Sequence, residues 1–250
     1  MSAAFRLDGR RALVTGANAG IGRAVAIGLA EAGAHVVAAG RRSCTETVAA
    51  IEAAGGSAEA LFLDVTDRDA GDALPGGLDV LVNNAGIIRR ADALDTGDDD
   101  WDAVVATNLT AVFRLSRAFA RAAVARGGAG QGAGGRIVTI ASLLSFQGGI
   151  RVPAYAAAKH GVAGLTKALA NEWAAHGITV NAVAPGYVAT ANTEALRADP
   201  ERAQAILARI PMGRWAEPED IAGAVTFLAS PAAAYVTGTV LAVDGGWLAR

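Results

Sequence analysis

The sequence predicts a doubly wound α/β fold, a mostly parallel sheet of seven strands with helices on both faces. Three observations carry this. Short apolar runs of strand length alternate with helical patterns from one end of the chain to the other, as parallel strands joined by helical crossovers require. The first run passes at once into a glycine-rich turn and a helix. The chain has 250 residues, 52% of them hydrophobic, enough for one large buried core, and no repeat or linker divides it. Residues 1–250 are therefore expected to form a single domain.

Composition also excludes. A net charge of -2 with few aromatics and no basic block argues against a nucleic-acid surface. No run approaches the ~20 apolar residues of a membrane span, and charges interrupt Met1 to Arg11 where a signal peptide needs an apolar core. A cytoplasmic, soluble protein is expected. Cys44 is the lone cysteine and the histidines are scattered, so no metal site is expected.

In chain order, Ala12 to Thr15 is the first strand, and Gly16-Ala17-Asn18-Ala19-Gly20-Ile21-Gly22 the turn before a helix from Arg23 to Ala32. Glycines let backbone N–H groups approach a pyrophosphate, and a helix N-terminus offers it unpaired donors and a positive dipole end. His35 to Gly40 is a second strand, Thr45 to Ala54 a helix, and Ala58 to Leu63 a third strand ending at Asp64 and Val65. Pro75 and two glycines limit any helix in Asp67 to Gly77 to a turn or two. Leu78 to Val82 is a strand that stops at Asn83-Asn84-Ala85-Gly86. Asp98, Asp99 and Asp100 suit the positive end of a helix running from Trp101 to Arg126, with Asn108 inside it. Residues 127–135, nearly all glycine and alanine, read as a flexible loop. Arg136 to Ala141 is the fifth strand and delivers Ser142 at its carboxyl end, where open sheets of this kind bind ligands. A helix from Pro153, the strand Thr179 to Ala184 and Pro185-Gly186 follow. The polar stretch 187–212, around a short helix near Glu201 to Ala208, has the character of a lid. A helix from Glu219 to Ala229 and a strand from Thr239 to Val243 complete the chain.

The chemistry centres on Tyr155 and Lys159. Four positions apart on a helix, they share a face one turn from each other. A full charge at ~4 Å, at an effective dielectric of ~20, is worth roughly 4 kcal/mol or about 3 pK units. A tyrosine so placed is expected to fall into the range useful for proton transfer. The same spacing also occurs on solvated helix faces, so the pair alone decides nothing.

Five ordered motifs add to it: Thr15-Gly16-x-x-x-Gly20-Ile21-Gly22, Asn83-Asn84-Ala85-Gly86, Asn108, Ser142 with Tyr155-x-x-x-Lys159, and Pro185-Gly186 followed by Thr190. In these the chain resembles the short-chain dehydrogenase/reductase family. The resemblance implies a Rossmann-type domain, an NAD(P) cofactor on the carboxyl edge of the sheet, and commonly a homotetramer. It implies that Tyr155 exchanges a proton with the substrate oxygen while a hydride moves to or from the nicotinamide. It also implies that Lys159 lowers the tyrosine pKa and binds the nicotinamide ribose, that Ser142 orients the reacting oxygen, and that Asn108 holds a water linking the lysine to solvent. The implied cofactor contacts are Gly16, Asn18, Gly20, Ile21, Gly22, Arg41, Asp64, Val65, Asn84, Ala85, Gly86, Pro185, Gly186, Val188 and Thr190, besides Tyr155 and Lys159 themselves.

A narrower resemblance lies in 141–153, in Ile87-Ile88-Arg89-Arg90 and in the ending 243–250. These stretches resemble the branch of the family acting on sugar acids of the 2-dehydro-3-deoxy-D-gluconate and 2-deoxy-D-gluconate type. Arg89, Arg90 and Arg151 are then candidates for a substrate carboxylate, with surface salt bridges as the alternative, and Gln147 is a candidate for a sugar hydroxyl. The branch favours NAD. The local sequence favours NADP, because Gly40 is followed by Arg41 and Arg42 where NAD enzymes usually place an acid. Rival readings are a reductase of another carbonyl, such as gluconate at another carbon or a 3-oxoacyl thioester, and a non-catalytic nucleotide-binding protein.

Overall fold

The computed structural model describes residues 2–127 and 134–249. Its frame is one sheet of seven strands, all parallel, in the order β3-β2-β1-β4-β5-β6-β7. The strands are β1 (Arg11–Thr15), β2 (His35–Gly40), β3 (Ser57–Phe62), β4 (Val80–Asn83), β5 (Gly135–Ile140), β6 (Ile178–Pro185) and β7 (Val240–Val243). Strand order reverses between β1 and β4, and the crevice above their carboxyl ends is where such sheets hold ligands. The inner strands read as unbroken apolar runs because both faces are covered; β6 is buried at every position. β3, at the edge, is mostly exposed.

Two helical layers bury the faces. On one, α1 (Gly20–Glu31) and α8 (Pro218–Ala229) pack Val25, Leu29, Ile221, Val225 and Leu228 on β1, β2 and β5. On the other, α4 (Ala111–Gly127) and α5 (Pro153–Trp173) pack Leu115, Phe119 and Leu169 on Leu81, Ile137 and Val180. The chain also forms α2 (Thr45–Ala53), α3 (Asp98–Val105), α6 (Glu194–Arg197) and α7 (Pro200–Leu207).

Two expectations need adjustment, and a third falls mostly outside the described residues. The helix expected from Trp101 to Arg126 starts at Asp98 and is interrupted: α3 and α4 are joined by a single π-helical turn, Ala106–Thr110. Such a turn inserts one extra residue and is common at functional sites. The segment 187–212 holds two short helices, α6 and α7. α7 starts at Pro200 because Asp199 caps it, accepting from the Arg202 N–H at 3.1 Å, and because proline suits a first helical position. Lastly, most of the loop expected at 127–135 lies outside the described residues.

Candidate active site

The glycine-rich turn is built for close approach. Gly16 has φ +66° and Gly20 φ +53°, values that L side chains avoid. A Cβ on Gly22 would lie 2.2 Å from the Gly16 carbonyl oxygen and 2.4 Å from Asn84 Nδ2. No side chain caps α1, so its first N–H groups keep no capping partner and stay available to a pyrophosphate. Gly22→Ala is therefore expected to lose dinucleotide binding by roughly 100-fold or more and to lower the melting temperature. Fluorescence titration with NADPH and thermal denaturation check both.

A knot of hydrogen bonds fixes this turn to the loop after β4. Asn84 Nδ2 donates to the carbonyls of Thr15 (2.8 Å) and Gly16 (3.2 Å), while Thr15 Oγ1 accepts from the N–H groups of Asn84 and Ala85, each at 3.0 Å. The Asn84 side chain is thus spent on the fold. Thr15 has this role beyond its place in the glycine motif, and a hydroxyl at a strand end is the sequence signal for it.

Around the knot a cleft of about 90 Å³ opens between Gly16, Arg41, Asp64, Val65, Ala85 and Gly86. Six expected cofactor residues from four separate stretches meet there. Asn18 Oδ1 lies near Gly40 at the end of β2, and Ile21 leans into the core. Asp64 is held below its ordinary pKa, chiefly by the Thr66 hydroxyl at 2.6 Å, with Arg41 Nη1 3.4 Å from its other oxygen. Its carboxylate is already engaged on two sides. A larger cavity, about 630 Å³, lies at the opposite edge of the sheet between Arg6, Arg10, His35 and Ser57 and holds none of the expected residues.

Ser142 is extended (φ -167°) at the end of β5 and starts the short turn Leu143–Ser145. Its Oγ accepts from the Leu144 N–H at 3.2 Å, which leaves its own O–H to donate to the Tyr155 phenol. That hydroxyl faces the Tyr155 phenol, whose ionised form it favours. Ser145 Oγ donates to the Lys159 carbonyl at 2.7 Å and pins this turn to α5. Pro153 opens α5 at a position where its missing N–H costs nothing, and Tyr155 and Lys159 follow on one face.

The expected effect of Lys159 on Tyr155 is corrected here. Burial is the largest influence on the phenol and raises its pKa; the Ser142 hydroxyl and the Arg90 charge act in the opposite direction. Tyr155 keeps partial exposure, so solvent moderates the push. The lysine is differently placed from the simple picture. Lys159 is 4% exposed, its Nζ lies 5.5 Å from the Tyr155 ring centroid, and it donates to the Ile140 carbonyl at 2.5 Å. Desolvation brings its own pKa down to about 8.

Asn108 sits in the π-helical turn, fully buried. Its Nδ2 donates to Ile87 and Val104 carbonyls, each at 2.9 Å, and its Oδ1 has no partner. A buried carbonyl oxygen without a donor costs free energy.

Thr190 touches the glycine turn from the other side, its Cγ2 3.4 Å from a Cβ built on Gly20. Val188 is buried and bridges to Ala216, and Gly186 has no room for a side chain against Asp244 Cα at 2.7 Å. Pro185 belongs to β6 and pairs with Val243. Of the charged residues at the mouth, Arg89 Nε lies 3.1 Å from Asp100 and Arg151 Nε 3.4 Å from Asp92. Arg90 Nη2 donates to the Asn192 carbonyl at 2.9 Å. Gln147 stands in the same loop as Ser142, partly buried.

Residues 16–248 match the family model described as enoyl-(acyl carrier protein) reductase. The chain belongs to the short-chain dehydrogenase/reductase family. Within that family it is 50% identical over 254 residues to 2-dehydro-3-deoxy-D-gluconate 5-dehydrogenase of Escherichia coli (strain K12), covering 99% of this chain and 98% of that protein. Among solved structures it is similar to a candidate 2-deoxy-D-gluconate 3-dehydrogenase of Agrobacterium tumefaciens with bound NADP, at 60% identity, TM-score 0.95 and full coverage of both chains. A candidate NAD(P)-dependent gluconate 5-dehydrogenase of Beutenbergia cavernae with bound NADP at low occupancy is 57% identical, with TM-score 0.93, covering 99% of this chain and 100% of that one. The short-chain dehydrogenase/reductase assignment makes the chain an oxidoreductase using NAD(P), and the glycine turn with its uncapped helix fits that cofactor on geometry alone.

Proposed function

We propose that the protein transfers a hydride between NAD(P) and a secondary alcohol or ketone of a sugar acid, of the 2-dehydro-3-deoxy-D-gluconate or 2-deoxy-D-gluconate type. The observation that carries this is one mouth where a proton-transfer group, Tyr155 beside Ser142, lies within reach of the field of Arg90, which spans the mouth to the Asn192 carbonyl at 2.9 Å. The similarity to sugar-acid dehydrogenases supports the same reading.

When bound, the dinucleotide supplies or accepts the hydride. The residues proposed to hold it are the glycine turn with Asn18 and Ile21, Arg41, Asp64, Val65, Ala85, Gly86, Val188 and Thr190. In reduction Tyr155 donates its proton to the carbonyl oxygen, and the Ser142 O–H turns to donate to that oxygen as charge develops. In oxidation the same two groups act in reverse. Lys159 holds a cation under the tyrosine ring, and Asn108 Oδ1 anchors a water on the proton path.

We further take NADP to be preferred over NAD. Arg41 stands at the cleft and Arg42 makes no ion pair among the described residues, so both can meet a 2′-phosphate. The NADP in two solved relatives supports this. Arg41→Asp is expected to cut kcat/KM for NADPH by roughly 50-fold while sparing NADH. Steady-state kinetics with both nucleotides check it, and equal losses would remove the preference from Arg41.

Turnover of 2,5-diketo-3-deoxygluconate, with a 3-oxoacyl thioester as control, tests the substrate class. The charged mouth favours the sugar acid over the thioester; gluconate oxidised at another carbon is the second arm of the assay. Retention of Ser142, Tyr155 and Lys159 in one site opposes the reading of a non-catalytic nucleotide binder. No helix among the described residues is long and apolar enough to cross a membrane. Cytoplasmic residence and a homotetramer remain part of the proposal. Exposed Phe113 and Val124 on α4 support association, which light scattering tests.

A further inference from the structure

The arginines at the mouth differ in what already neutralises them. Arg89 faces Asp100 and Arg151 faces Asp92, so either would have to leave a carboxylate before taking another. Arg90 has no acidic partner among the described residues. Its one hydrogen bond among the described residues reaches 102 positions along the chain to the main-chain carbonyl of Asn192, in the turn Ala191–Thr193 that leads into α6. A neutral carbonyl uses one of five guanidinium donors and leaves the charge uncompensated. That charge is felt at the reacting centre, since it favours the ionised phenol of Tyr155.

We propose that Arg90 is the residue by which this site selects an acid: its guanidinium takes the substrate carboxylate while its hold on the Asn192 carbonyl keeps the lid across the bound molecule. This rests on the sugar-acid reading above. The planar fork can meet a carboxylate through two donors with another still on Asn192. The substrate thus joins the loop after β4 to the segment after β6, two walls that are otherwise bridged here through Arg90. Its anionic end is fixed at Arg90, and its reacting carbon is set at Ser142 and Tyr155. A neutral ligand of the same shape gains the second contact but not the first.

The test compares the sugar acid with its primary amide, which has the same shape and no charge. Arg90→Gln, Arg90→Lys, Arg89→Gln and Arg151→Gln are assayed on both, with melting temperature and the KM for NADPH as controls for folding. Arg90→Gln is expected to lower kcat/KM for the acid by roughly 50-fold relative to the amide, mainly through KM. Arg90→Lys should recover part of the preference, because an ammonium restores the charge without the fork. Arg89→Gln and Arg151→Gln should keep it. Equal losses of acid and amide in Arg90→Gln would reduce Arg90 to a lid fastening and overturn the proposal, as would loss of acid preference in either of the other variants. A wild-type enzyme that turns over neither molecule overturns the sugar-acid reading, and this inference with it.

Discussion

Tyr155→Phe should lower turnover by about 1,000-fold and leave NADPH binding nearly unchanged. The substitution removes one hydroxyl from a partly buried ring and disturbs no hydrogen bond of the main chain, so folding is preserved. The pH profile adds a sign. Burial raises the phenol's pKa, so Tyr155 carries its proton across the neutral range. Reduction, which consumes that proton, should be level there and decline only at alkaline pH; oxidation, which needs the ionised phenol, should climb as pH rises. Stopped-flow rates in both directions, together with a binding titration, check the set. Substantial turnover by the phenylalanine variant would sink the assignment of Tyr155 as the proton-transfer group.

Lys159→Met should cost roughly 100-fold in turnover, the scale of a lost charged hydrogen bond, yet make the protein more stable at neutral pH. A lysine held at about 8 instead of 10.5 costs about 3 kcal/mol wherever both folded and unfolded forms are protonated. The folded pKa is the lower one, so the unfolded chain binds the extra proton between these values and wild-type stability from this group rises as pH passes from about 8 towards 10.5. Below 8 the full cost applies. The gain from methionine should therefore be largest at pH 7, less what is lost with the hydrogen bond to Ile140, and should shrink by pH 10. Melting temperatures at the two pH values decide it. A methionine variant less stable than wild type at pH 7 would mean that the bond to Ile140 outweighs desolvation.

The alternation of strands and helices was legible because burial on both faces writes itself into the chain as apolar runs, as in β6, and helical periods, as in α1. The glycine turn was legible too, since Gly16, Gly20 and Gly22 each answer a local demand of backbone angle or approach. What stayed hidden depends on partners far along the chain. The pairing of Arg89 with Asp100 and of Arg151 with Asp92 leaves Arg90 as the arginine with an uncompensated charge, and no spacing rule distinguishes three arginines in the same region. The directions of the Tyr155 and Lys159 shifts are set by how deeply each group is itself covered, a property of the assembled layers. The π-helical turn at Asn108 adds one residue to a helix without any compositional mark. The start of α7 was within reach, because Asp199-Pro200 is a helix-opening pair.

The bonds among Thr15, Gly16, Asn84 and Ala85 have a consequence for where the cleft keeps its freedom. They make the end of β1 and the loop after β4 a single stiff floor, whose geometry is settled before anything binds. Little conformational entropy remains there for a ligand to remove. The opposite wall, from Ala191 through α7, is mostly exposed. Exposed surface is thus concentrated on one side of the cleft, where a ligand finds side chains still to be ordered. Amide exchange should accordingly slow on binding in residues 191–207 and scarcely change in 80–86.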